Sequence, residues 1–128
     1  MIDFTNATFV KLSEVDKAAG LTLVGPMLVD GEEIFSSFKG MRDHVVFTNK
    51  RVIAINAKGM TGKKQDFTSL PYSKIQAWSV ETPNSWGTSW MRDSELDLWF
   101  IGLGLVRFEF ASNFDIKEFN KLIGSYIL

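Results

Sequence analysis

The sequence predicts a mainly β domain of about seven antiparallel strands closed by one amphipathic helix. Three observations carry this expectation. Residues 43–57, DHVVFTNKRVIAINA, are two β-branched and aromatic runs around a polar Thr48-Asn49-Lys50-Arg51 turn, the pattern of a hairpin. Residues 94–101 and 106–110 alternate apolar and polar side chains, as half-buried strands do. Beyond residue 112 the apolar period changes to that of a helix, with Ile116, Phe119, Ile123 and Ile127 recurring and Leu122 and Tyr126 widening the stripe.

Each element follows from its residues in turn. Ser13 as N-cap, Asp16 three residues on and Gly20 as a stop predict a short helix over 12–19. Residues 21–32 are broken by Gly25-Pro26 and Asp30-Gly31 and are expected to be irregular. Residues 33–39 form a first strand, turned by residues 40–42 into the 43–57 hairpin. The glycines of 58–62 mark a loop, and 63–70 is an edge strand with Phe67 pointing inward. Residues 75–82 form a strand covered on both sides for part of its length, and 83–93 is a polar loop carrying Trp86 and Trp90. Residues 94–101 and 106–110 pair through the turn Gly102-Leu103-Gly104. Ser112 as N-cap and Asp115 at N3 open the terminal helix, whose outer face holds Lys117, Glu118 and Lys121. Hairpins this short give a strongly bent antiparallel sheet, and a lone terminal helix buries its stripe by plugging an open barrel end.

Composition narrows the function classes. At 128 residues the chain suits one domain with its own core, and 45% hydrophobic against 23% charged residues argues against disorder. Fourteen Lys and Arg against 15 Asp and Glu leave a formal charge of -1, so no global field attracts nucleic acid. Zero cysteine excludes disulfides, thiolate metal sites and cysteine nucleophiles. No segment reaches the about 20 apolar residues of a membrane helix, and 1–4 lack a basic leader. A cytoplasmic location is the expectation.

The residues Val46-Phe47-Thr48-Asn49-Lys50-Arg51-Val52-Ile53 resemble the hairpin signature of the bacterial pleckstrin-homology (PH) domain family. The resemblance continues through Lys74-Ile75, the 94–100 strand and the helix at 115–127, and so covers nearly the whole chain. It implies a PH-like, partly open seven-stranded barrel over about 33–110, capped by a C-terminal helix over about 113–127. It also implies a non-catalytic protein-interaction module and a cyclic homo-oligomer, a pentamer among the ring sizes. A lipid-binding role taken from eukaryotic relatives would rest on fold analogy alone.

The residues supply few alternatives. His44 beside Asp43 has the composition of an oriented general base, but no activated serine or second histidine accompanies it. The run Gly59-Met60-Thr61-Gly62-Lys63-Lys64 has two residues where a phosphate loop needs four, and Lys64 where it needs a hydroxyl. Glu95 and Asp97 share a strand face, as a pair of catalytic carboxylates or metal ligands would, although the wet face of any sheet gives the same alternation; with Arg107 and Glu109 on the next strand they would form a hydrophilic docking surface. Trp86 and Trp90 either fold back on the barrel or join that surface as an oligomer or partner interface. Lys39, Arg42, Lys63 and Lys64 would form an anion or lipid patch if their loops converge. The Asn6-Ala7-Thr8 sequon has no consequence without export. No cofactor or metal is expected. The leading expectation is a self-assembling, ring-forming interaction module with an unknown protein partner; the alternative is a peripheral membrane module binding anionic lipid, and the third an enzyme of unknown class.

Overall fold

The computed structural model describes residues 1–61, 63–83, 93–111 and 113–128. Eight strands and two α-helices are present among them: β1 (Thr8–Val15), α1 (Lys17–Val24), β2 (Ile34–Lys39), β3 (Asp43–Thr48), β4 (Arg51–Lys58), β5 (Lys64–Pro71), β6 (Ile75–Glu81), β7 (Ser94–Phe100), β8 (Gly104–Phe110) and α2 (Ile116–Ile127). The chain divides into two compact units, residues 1–2 with 13–72 and residues 3–12 with 73–128.

In the first unit β5, β4, β3 and β2 form an antiparallel meander, and the end of β1 adds to β2 through Ser13 opposite Lys39 and Val15 opposite Ser37. The expected hairpin is present, with Phe47 opposite Val52 and Val45 opposite Ala54. The inner face is apolar because Val46, Ile53 and Ile55 point the same way and meet Val24 of α1, with Leu23, Met27, Leu28 and Ile34 packed around them. Phe38 and Phe47 meet edge to face at 5.7 Å. Gly20 lies inside α1 rather than ending it, where a Cβ would fall 2.1 Å from Ser37 Oγ. That close approach explains a glycine within a helix.

The Thr48–Arg51 turn is tied to residues 31–33 by a dense polar network. Thr48 Oγ1 accepts from the Lys50 and Arg51 amides at 3.1 and 3.0 Å and donates to Glu32 Oε2 at 2.7 Å. Asn49 accepts from the Glu33 amide at 2.8 Å through Oδ1 and donates to the Gly31 carbonyl at 3.0 Å through Nδ2. Arg51 grips the buried Glu32 carboxylate with Nε at 2.9 Å and Nη2 at 3.0 Å, and also donates to Ser69 Oγ and the Met27 carbonyl. Tyr72 closes the turn from the far side by donating to the Thr48 carbonyl at 2.6 Å. The turn that carries the family resemblance is therefore a structural clamp, in which each of its polar side chains but Lys50 is committed.

In the second unit the start of β1 runs parallel to β8, then β8, β7 and β6 follow antiparallel. Leu96, Leu98, Val106, Phe108 and Phe110 are buried on one face. Phe9 stacks on Phe108 at 5.5 Å, and Phe110, Phe114 and Phe119 form a three-ring cluster with centroids 4.5 to 5.6 Å apart. α2 packs on β6 and β7 through Ile116, Phe119, Ile123 and Gly124. Trp78 on β6 is anchored to it by donating from Nε1 to Asn120 Oδ1 at 2.8 Å.

Four details differ from the sequence expectation. β1 is an eighth strand, while the expected openness is present: among the described residues each unit's sheet ends unclosed, on β5 in the first and β6 in the second. The helix expected over 12–19 starts later, at Lys17, because Asp16 and not Ser13 is the cap, accepting from the Ala18 amide at 2.8 Å. α2 begins after Asp115, which is itself the N-cap and accepts from the Glu118 amide at 3.1 Å, while Ser112 lies outside the described residues. Phe67 points outward at 37% exposure, because Thr68 and Leu70 take the buried positions of β5 and strand period leaves Phe67 on the other face.

Candidate interaction faces

Strand period sends the odd-numbered residues of β7 and β8 away from the core, and register sets them in rows across β6, β7 and β8. Glu81, Glu95 and Glu109 form one row; Ser79, Asp97 and Arg107 form the next; Ala77, Trp99 and Leu105 form a third. Glu95, Asp97, Arg107 and Glu109 thus share one sheet face. Glu81 and Trp99 belong to it as well, and the alternation that found Glu95 and Asp97 extends directly to Trp99. Trp86 and Trp90 lie outside the described residues.

Arg107 sits at the centre of this face. It holds Asp97 in a two-pronged pair, Nε to Oδ1 at 2.9 Å and Nη2 to Oδ2 at 3.0 Å, and also contacts Glu95 Oε1 through Nε. The Asp97 hydrogen bonds, with the nearby carboxylate charges, push the guanidinium above its ordinary pKa and keep it charged. Glu95 moves upward: burial raises it, and the charges of Asp97, Glu81 and Glu109 add to that against the pull of Arg107. Among the described residues one cation therefore serves a group of four carboxylates. Trp99 is 40% exposed in the apolar row, and the neighbouring β7–β8 turn presents Ile101 and Leu103 to solvent.

The second face lies at one end of the first unit's sheet. Arg42 donates from Nη2 to the Gly59 carbonyl at 2.9 Å, so the β2–β3 and β4–β5 turns do converge. Lys39 ends β2, and Lys64 starts β5 opposite Lys58, so the expected cations Lys39, Arg42, Lys63 and Lys64 gather at this end with Lys58 added. Their tips carry Met41, at 86% exposure, and a fully exposed Met60. Asp66 is paired with the N-terminal ammonium and lies 3.9 Å from Lys58.

Asp43 accepts from Asn56 Nδ2 at 3.0 Å, and no hydrogen bond joins it to His44 among the described residues. Burial lowers the imidazole pKa, and the Lys39 charge lowers it further against the opposing effect of Asp43. No group of three His, Asp or Glu able to hold a metal ion occurs among the described residues.

With this geometry in place, likeness to known proteins is informative. Residues 3–127 match the profile of the family described as Bacterial PH domain. The chain is 34% identical over 124 residues to YjqA, an uncharacterized protein of Bacillus subtilis strain 168, covering 95% of this chain and 96% of that one. Among solved structures it is similar to a DUF1696 family protein with a pleckstrin-homology domain from Shewanella loihica PV-4, with a TM-score of 0.78 and 32% identity, covering 93% of this chain and 99% of the other. A pleckstrin homology domain from Shewanella amazonensis SB2B gives a TM-score of 0.66 at 37% identity, covering 91% of each chain.

Proposed function

Because the chain belongs to the bacterial PH domain family, we propose that it is a non-catalytic protein-binding module that assembles with copies of itself into a closed ring and offers the β6–β7–β8 face as a docking surface. The observation that carries this reading is that, among the described residues, each sheet ends on a strand paired along one side only. Such edges favour association, and head-to-tail contacts between identical chains close into rings when the rotation per subunit permits. The two edges differ. β5 carries Lys64 and Pro71, and the Ile2 amide donates to its Thr68 Oγ1 at 3.0 Å, so residues 1–2 lie beside it. β6 carries Ala77, Ser79 and Glu81 of the Arg107 face, and the contact is assigned to this side of the second unit. A cytoplasmic location belongs to the same proposal and fits a chain without cysteine. Light scattering coupled to size exclusion tests the assembly: a defined multimer is expected, and a monomer at high micromolar concentration overturns it.

One observation favours a second reading, a peripheral module on anionic membranes: Met41 and Met60 project from a cluster of cations. Apolar tips flanked by lysine and arginine combine insertion with charge attraction. Flotation with phosphatidylserine vesicles is expected on this reading to be strong at low salt and weak at moderate salt. Absence of flotation at low salt removes it.

A further inference from the structure

The two faces are complementary in both charge and apolarity, although the chain as a whole is almost neutral. At the hairpin end of the first unit, five cations, Lys39, Arg42, Lys58, Lys63 and Lys64, lie in or beside the two turns that carry exposed Met41 and Met60, with Asp43 and Asp66 as acids on the same strands. On the second unit's face, Glu81, Glu95, Asp97 and Glu109 share, among the described residues, a single cation, Arg107, with Trp99 and Leu105 alongside. Glu81, Glu95 and Glu109 stand directly opposite one another across three strands, an arrangement of like charges that destabilises a sheet. Arg107 is already occupied by Asp97 and Glu95, and neither Glu81 nor Glu109 has a cation partner among the described residues. The row spans roughly 10 Å at the usual strand spacing, so it suits several spread cations.

We infer that the Glu81–Glu95–Glu109 face of one copy receives the basic, methionine-tipped hairpin end of a second copy. The lysines and arginine sit over the glutamate row, and Met41 and Met60 lie against Trp99 and Leu105. Methionine suits this contact, since its flexible, polarizable side chain adapts to an aromatic surface. Because the two surfaces are different, the contact is head-to-tail, the class that propagates from copy to copy. The inference rests on the proposal that copies assemble, and it names the surfaces that meet.

The test uses the full chain in three variants. Lys63→Glu with Lys64→Glu reverses the tips, Glu81→Lys with Glu109→Lys reverses the face while leaving Arg107 and Asp97 intact, and the third combines all four changes. Circular dichroism establishes that each folds. Each reversal alone is expected to weaken self-association by about a hundredfold or more, from like charges brought together across the contact. Assembly of the fourfold variant, with both signs exchanged, is expected to return. Mixing the two single-surface variants brings an acidic tip to a basic face in one junction and leaves the wild-type pairing in another, so the mixture is expected to assemble where neither component does. Retained assembly in both reversed variants overturns the inference while leaving the assembly proposal standing. A monomeric wild type overturns both. Loss of vesicle flotation in the tip variant with unchanged assembly also overturns it, by assigning the tips to a membrane.

Discussion

Replacing Arg51 with methionine should be the most damaging surface-proximal substitution in the first unit. The Glu32 side chain has no exposed area, while Arg51 keeps 20% of its own. Removing the guanidinium strips two charge-assisted hydrogen bonds from an enclosed carboxylate and leaves the charge behind. Breaking a buried pair in this way costs about 3 to 5 kcal/mol, and the partial exposure of Arg51 places the expected loss near about 3 kcal/mol. With a urea dependence of about 2 kcal/mol/M, the unfolding midpoint should fall by about 1.5 M. The pH dependence has a definite sign. In the native protein burial pushes the Glu32 pKa up, but bonds from Arg51, Thr48 and the Val29 amide outweigh it and leave it below the ordinary glutamate value. A depressed folded pKa stabilises above the unfolded pKa, and that stability is lost as pH falls through the folded value. Without Arg51 the balance reverses, so the deficit of Arg51→Met should be largest at neutral pH and shrink in acid as Glu32 takes up a proton. Adding Glu32→Gln should recover much of the loss at neutral pH. Urea titrations at both pH values check this, and a deficit below about 1 kcal/mol, or one that does not change with pH, would refute the buried-pair reasoning.

Three further outcomes follow from the same structure. Gly20→Ala should destabilise by about 1 to 3 kcal/mol through overpacking against Ser37, with partial rescue by Ser37→Ala, whereas Gly124→Ala meets Trp78 at an ordinary 3.6 Å and should be neutral or stabilising in thermal unfolding. Asp115→Ala should cost about 1 kcal/mol by uncapping α2, and Asp115→Asn should retain most of the stability, as read by denaturant midpoint. Glu95 has a raised folded pKa, so its charged form weakens the fold above the unfolded pKa; Glu95→Gln should match or exceed the native melting temperature near pH 7, and the difference should vanish as pH falls below 4.

The hairpin at β3–β4, the β7–β8 pair and α2 were legible in the sequence because each has an undisturbed period and a clear turn or cap. β1 was not, for a physical reason. Its pairing with β8 shifts between Phe9 and Leu12 and Lys11 takes a φ of 52°, so the buried Phe9 and Leu12 fall three apart and the alternation of a strand is broken. Ser13 then looked like a cap, although Asp16 performs that role. The acidic face was visible as alternation on β7 and β8, but its continuation onto β6 depended on register, which places Glu81 opposite Glu95. Convergence of the basic loops likewise depended on the Arg42 contact with the Gly59 carbonyl. Nothing local separates Glu32 from Glu33; only the fold buries one and exposes the other.

The clamp around Thr48–Arg51 also bears on how quickly the chain finds its structure. Its bonds join residues only 16 to 19 positions apart, a short loop to close before any contact is gained. The β2–β3–β4 meander can therefore take shape ahead of the pairing of β1 with β8, which draws together residues almost a hundred positions apart. The Arg51→Met loss should then appear chiefly as slower folding, with the unfolding rate little changed, whereas Phe9→Ala should act mainly on unfolding.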